Sequence, residues 1–232
     1  MKPQLLNLFD DKPSFNNFMT IGNSHVVEVL QQNTYQFINL DGGRSSGKSH
    51  LLQAWTKCHN LTSSIYLNAN DKIRKSVIKN LAVNYNHIAI DNIDYLSDIQ
   101  QIELFDLFNT IKQNTHNNYK QYLLTSADIG FEHNLNIRDD LKTRILSGLN
   151  LILKLPDDEE IIATLHLYAN KEGITIHEAE LQYMLTHYTR NIGTLVNTIN
   201  IIVKVALLEK RNITIPLIKQ VIQSHQLCYD RV

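Results

Sequence analysis

Gly42-Gly43-Arg44-Ser45-Ser46-Gly47-Lys48-Ser49 satisfies every fixed position of the pattern G-x-x-x-x-G-K-[ST]. The apolar run ahead of it, Tyr35-Gln36-Phe37-Ile38-Asn39-Leu40, reads as a buried strand, and His50-Leu51-Leu52-Gln53-Ala54-Trp55 behind it reads as a helix. A strand, a glycine-rich loop and a helix in that order form the setting in which such a loop binds nucleotide phosphates. Glycines let the backbone turn its N–H groups inward around an anion, Lys48 supplies a point charge for the β/γ-phosphates, and the Ser49 hydroxyl is a candidate ligand for Mg2+. A chance match in a chain of this length has a probability of about 1%. The stretch therefore predicts nucleotide binding without saying what the nucleotide is for.

The rest of the composition narrows the class. A chain of 232 residues has room for one good core and a small second one. Its formal charge of −1 offers no bulk electrostatic case for nucleic acid or an anionic membrane. Cys58 and Cys228 lie far apart without metal-type spacing, as expected of a reducing compartment. The ten histidines are scattered, so a lone one such as His50 or His87 reads first as a structural residue. Neither a signal-peptide segment nor a membrane span stands out, and the expectation is a soluble cytoplasmic protein.

Residues 1–14 carry Pro3, Pro13 and Asp10-Asp11 without a sustained period, and read as an extended arm. Over 15–156, strand-like runs at 35–41, 64–68, 87–91, 120–125 and 150–155 alternate with helical patterns at 23–32, 47–58, 71–80, 98–115 and 138–147. That alternation predicts an α/β domain with a five-stranded parallel sheet and helices on both faces. After Pro156 the pattern becomes helical throughout, at about 157–171, 177–188, 191–210 and 215–225, so 157–232 reads as a small helical domain. Acid in Asp157-Asp158-Glu159-Glu160 suits a first helical turn.

His87-Ile88-Ala89-Ile90-Asp91 is an apolar strand ending in a carboxylate, which makes Asp91 the candidate acid for Mg2+ beside the loop. The next residue is Asn92, where ATP-hydrolysing proteins of this kind usually place a second acid. An amide can orient water but cannot take its proton, so slow intrinsic hydrolysis is expected. Asp94 lies too far along to be an obvious substitute. Thr125 and Ser126, at the end of the fourth strand, are equally readable as γ-phosphate contacts or as supports for a turn. Arg144, in Asp140-Leu141-Lys142-Thr143-Arg144-Ile145, is either an ordinary helix charge or an arginine supplied to a neighbour's nucleotide.

Together these segments resemble the initiator-type AAA+ family, and within it the small homologues of the bacterial replication initiator DnaA. The resemblance rests on Ser14-Phe15-Asn16-Asn17-Phe18, Gly47-Lys48-Ser49-His50-Leu51-Leu52, Ile90-Asp91-Asn92-Ile93, Phe105-Asp106-Leu107-Phe108-Asn109 and the Arg144 segment. It implies a P-loop domain followed by an α-helical lid, an ADP or ATP ligand with Mg2+, and Arg144 as a finger acting in trans. The implied nucleotide-binding set is Gly42, Gly43, Ser46, Gly47, Lys48, Ser49, His50, Asp91, Asn92 and Arg190, with Ser49 and Asp91 at the metal. Arg190 stands in Thr189-Arg190-Asn191-Ile192, which is similar to the family's nucleotide-sensing segment, although Asn191 replaces the usual acid and Gly193 a frequent second arginine. Gln4-Leu5-Leu6-Asn7-Leu8-Phe9 is similar to the family's sliding-clamp peptide, with Gln4, Leu5, Leu8 and Phe9 as contacts in an apolar groove.

The function expected from the resemblance is negative regulation of replication initiation. The protein would dock on the DNA polymerase III sliding clamp (its beta subunit) and stimulate ATP hydrolysis by DnaA. A homo-oligomer is compatible with it, whereas a membrane or direct sequence-specific DNA contact is not expected, because nothing after the lid reads as a DNA-binding domain. The alternative is an autonomous AAA+ ATPase acting as a helicase or transposase loader. A small-molecule kinase ranks last, because the lid offers few arginines.

Overall fold

The structure is a computed structural model that describes residues 13–18, 20, 22–59, 63–74, 76–116 and 120–229. The clamp-type peptide at 4–9 lies outside the described residues. The chain divides into two compact units, Met1–Leu155 and Pro156–Val232.

The first unit is built on five parallel strands, β1 (Phe37–Gly42), β2 (Ser64–Asn68), β3 (His87–Asp91), β4 (Tyr122–Asp128) and β5 (Leu149–Leu153), in the order β2-β3-β4-β1-β5. The parallel α/β sheet expected from the alternation of patterns is present. Its strands are apolar runs because helices cover both faces. Side chains alternate along each strand, so the two faces have separate cores. One face carries Ile88, Ile90 and Leu123 and packs with Leu104, Leu107 and Phe108 of α4 (Asp98–His116) and with Leu141 and Ile145 of α5 (Asp139–Leu146). The other carries Ile38, Leu40, Ala89 and Leu124 beneath α1 (Ser24–Gln32) and α2 (Lys48–Cys58), with Val26, Leu30, Leu51 and Trp55 buried against it.

Two polar devices tie these elements together. Asn23, just ahead of α1, donates from Nδ2 to the Lys154 carbonyl at 3.0 Å and accepts the Lys154 N–H at 2.9 Å, so one side chain pairs with the end of the edge strand β5 as a backbone neighbour would. Gln101, buried in α4, donates to the Leu96 and Asn136 carbonyls at 3.0 Å and accepts the Arg138 N–H at 2.9 Å, which fixes the start of α5 against α4.

The helix expected over 71–80 does not form among the described residues. Ser76 adopts φ +64, a left-handed value that interrupts a right-handed helix, and its N–H donates to Glu103 of α4 at 2.6 Å. Regular structure resumes only with a single 3-10 turn, Ile78–Asn80, and the four-residue α3 (Leu81–Asn84).

In the second unit, α6 (Asp158–Lys171), α7 (Glu178–His187), α8 (Ile192–Glu209) and α9 (Ile215–Tyr229) enclose one core that includes Leu165, Leu181, Met184, Leu195, Ile199, Ile202 and Leu217. A capping box starts α6: Asp157 accepts the Glu160 N–H at 2.8 Å and Glu160 accepts the Asp157 N–H at 2.9 Å. Helix α8 is long and apolar enough by composition to cross a membrane, but Leu195, Ile199 and Ile202 are buried inside this bundle.

Candidate nucleotide site

The glycine-rich loop leaves the C-terminal end of β1 and enters α2, so the first N–H groups of α2 have no helical acceptor and open toward an anion. Gly47, the residue before α2, has φ +92, and a Cβ there would lie 2.6 Å from the Phe18 ring. Only glycine meets both demands without strain. A Cβ on Gly42 would fall 2.7 Å from Ser46 Oγ, and one on Gly43 would fall 2.9 Å from Leu155. Lys48 is buried and turned back into the loop, donating to the Gly42 carbonyl, to the Gly43 carbonyl at 3.1 Å and to Asp128 at 3.3 Å. Ser46 Oγ and one Asp41 carboxylate oxygen are buried without a hydrogen-bond partner among the described residues. A buried ammonium, an unused hydroxyl and a glycine cradle fit a bound phosphate.

Acids crowd this end of the sheet. The Asp41 carboxyl, on β1, is pushed up to about 6, chiefly by burial, with Asp94 adding to the shift and Lys48 opposing it. Asp94, expected to lie too far along to stand in for the second acid, accepts the Asp128 N–H at 2.7 Å and the Asn134 side-chain amide at 3.0 Å, and so holds the tip of β4. Asp128 is the residue sequence reasoning missed. β4 runs to 128 rather than 125, and its last carboxylate, half-exposed, is the one paired with Lys48.

Thr125 and Ser126 are buried inside that strand. Thr125 donates to Asn39 at 2.9 Å, away from the face that carries α2. Ser126 lies on the α2 face and donates a short hydrogen bond to Asp91 Oδ1. Asp91 has no exposed surface, and its second oxygen accepts from the Tyr66 hydroxyl at 2.7 Å. Asn92 is left-handed, at φ +59. Its N–H donates to Ser126 at 2.9 Å and its side-chain amide to Asn68 at 3.0 Å. The residues thus fit a nucleotide's phosphates, whereas Asp91 is buried and each of its oxygens already accepts a hydroxyl hydrogen bond, so it presents a divalent ion no exposed carboxylate. Nor does any group of three His, Cys, Asp or Glu residues able to hold a metal occur among the described residues.

The other expected residues have partners of their own. His50 in α2 hydrogen-bonds the Ser14 carbonyl at 2.9 Å and lies 5.5 Å from the Phe18 ring, which pins the segment before α1 to the helix after the loop. Burial lowers its pKa. Arg144, in the last turn of α5, stacks its guanidinium 5.6 Å over the Phe105 ring of α4. Arg190 lies in the connection between α7 and α8 in the second unit, where it pairs with Asp158 at 2.8 Å. Asn191, standing where the family often has an acid, caps α8 by accepting the Thr194 N–H at 2.9 Å.

Comparison with known proteins places the chain. The family model described as the lid domain of Hda matches residues 157–222. An uncharacterized protein of Haemophilus influenzae is 28% identical over 223 residues, which cover 91% of this chain and 94% of that protein. The chromosomal replication initiator DnaA of Clavibacter sepedonicus is 27% identical over 206 residues, 82% of this chain and 42% of DnaA, so this chain spans less than half of that relative. Among solved structures, domain III of Thermotoga maritima DnaA superposes with a TM-score of 0.71 at 19% identity, covering 92% of this chain and 96% of that domain. AMPPCP-bound DnaA from Aquifex aeolicus gives 0.68 at 21% identity, covering 84% of this chain and 66% of that one. The lid match and the relatives converge: residues 157–222 match the Hda lid family, and the chain as a whole is similar to the replication initiator DnaA and its Hda-type homologues.

Proposed function

We propose that the protein is a nucleotide-bound negative regulator of replication initiation. It works in the cytoplasm, docks on the sliding clamp through Gln4, Leu5, Leu8 and Phe9, and promotes hydrolysis of the ATP held by DnaA. The observation that carries this reading is the pairing of a complete phosphate loop with Asn92 in place of the second acid, the amide being held by Asn68. Such a site binds a nucleotide but has no base beside Asp91 to activate water. ADP or ATP binds to the N–H groups at the start of α2, with Gly42, Gly43 and Gly47 giving room and Lys48 exchanging the loop carbonyls and Asp128 for phosphate oxygens. The solved relative bound to AMPPCP, an ATP analogue, supports the same class of ligand.

The chemistry then falls to DnaA's own site, to which Arg144 brings charge. Its guanidinium is poised by the Phe105 ring and has no carboxylate partner among the described residues, so it is available to a phosphate of another subunit. Arg190 is held by Asp158 in an exposed surface pair of small worth. Turnover of radiolabelled ATP separates this reading from an autonomous loader. The purified chain alone is expected to hydrolyse ATP negligibly, while DnaA-bound ATP on clamp-loaded DNA turns over faster once the chain is added. Turnover by the chain alone, with no effect on DnaA, would instead establish the loader.

A further inference from the structure

Parallel pairing sets Tyr66 opposite Ala89 and Asn68 opposite Asp91, and Ala89 opposite Leu124. That register puts Tyr66, Asp91 and Ser126 side by side on the sheet face beneath α2, whose first turn carries Ser49. Tyr66 donates to Asp91 Oδ2 at 2.7 Å while Ser126 donates to Oδ1. Ser49 and Gln53 of α2 act on the same phenol, each opposing the rise in its pKa. The phenol therefore stands between the loop's hydroxyl and the strand-end acid, with its proton aimed at the acid. Burial first, then the hydrogen bond to Asp91, raises its pKa far above the ordinary tyrosine value, so it is a neutral donor at any working pH.

We propose that this site holds its nucleotide without a divalent ion, the Tyr66 hydroxyl standing where a metal-bound water would join Ser49 to Asp91. The proposal rests on the nucleotide-binding reading above. Mg2+ requires near-octahedral oxygen ligation and keeps several of its waters, which takes open oxygens and space. Asp91 has no exposed surface and both of its oxygens already accept from hydroxyls. The two O–H donors mute the carboxylate's repulsion of a phosphate, a task the cation otherwise performs. Neutralisation of the phosphates then falls to Lys48 and the N-terminus of α2. A site of this design exchanges nucleotide independently of cellular Mg2+ and gives its own bound ATP no metal to assist cleavage, in line with Asn92.

The test is equilibrium binding of a fluorescent ADP to the full chain, followed by anisotropy in Mg2+ and in EDTA. For the wild type, chelation is expected to change Kd by less than about threefold. Tyr66→Phe keeps the ring but removes the donor, and is expected to weaken by about tenfold in EDTA and to recover on adding Mg2+. A wild-type loss of about tenfold or more in EDTA overturns the proposal and leaves nucleotide binding standing. Tyr66→Phe indistinguishable from wild type in both buffers overturns the role of the phenol. No binding in either buffer overturns the nucleotide reading along with the proposal.

Discussion

Lys48 shows how one side chain links sequence pattern to chemistry. The motif requires it, and the structure buries its ammonium among two loop carbonyls and Asp128, so its charge is already directed into the cradle. Asp128 was not legible because Thr125-Ser126 looks like the end of a strand, and only the observed ladder, which pairs Gly42 with Asp128, extends β4 by three residues. Tyr66 was hidden for a different reason. A tyrosine in an apolar run reads as an ordinary strand former, and its hydroxyl acquires meaning only when β2 pairs beside β3. A further residue-scale consequence arises on the α2 face. His87 stacks between His59 (4.1 Å) and Tyr122 (5.0 Å), with Trp55 edge-on, and its pKa is lowered to about 4 by burial, with His59 adding to the shift. A depressed histidine binds its proton more weakly in the folded than in the unfolded chain, so its contribution to stability is present above pH 6.5 and is lost as pH falls toward 4. Asp41, raised from 3.8 to about 6, acts with the opposite sign in much of that window, since its stability cost disappears as pH falls. The comparison must therefore be between proteins. Between pH 7 and pH 4.5, His87→Phe is expected to lose about 1–2 kcal/mol less stability than wild type by urea unfolding, a figure discounted for partial exposure. Equal losses would remove His87 as the source.

At the scale of elements, the long apolar strands and helices were legible because burial on both sheet faces leaves near-continuous hydrophobic runs, as at 87–91 and 37–42. The segment 71–80 was not, because its helical spacing of Ile73, Val77 and Ile78 is satisfied by an irregular path whose turn at Ser76 no residue type announces. In the second unit the departure at Asn191 has a structural explanation: the amide oxygen does the capping work that an acid would do at the start of α8. Asn191→Asp should leave stability within about 0.5 kcal/mol of wild type, and Asn191→Ala should lose about 1 kcal/mol, both read by chemical denaturation. An alanine variant as stable as wild type would show that α8 does not depend on this cap.

At the scale of the whole molecule, two units with separate cores divide the work, one holding the phosphate loop and the other matching the Hda lid. Fold and phosphate loop were readable from sequence because both are local patterns. The partner was legible only through the family resemblance, because the task proposed for Arg144 lies on another protein's surface. Within the chain, Gln101 fixes α5 against α4 and Phe105 supports the guanidinium, an arrangement that presents a charge without neutralising it. In the proposed function this charge acts on DnaA's ATP. The direct measurement is the rate at which DnaA-bound ATP is converted to ADP on clamp-loaded DNA, with wild type and Arg144→Ala compared at equal nucleotide occupancy. The alanine protein is expected to bind its own nucleotide normally and to lose stimulation by about 10³-fold or to background, whereas stimulation equal to wild type would contradict the account.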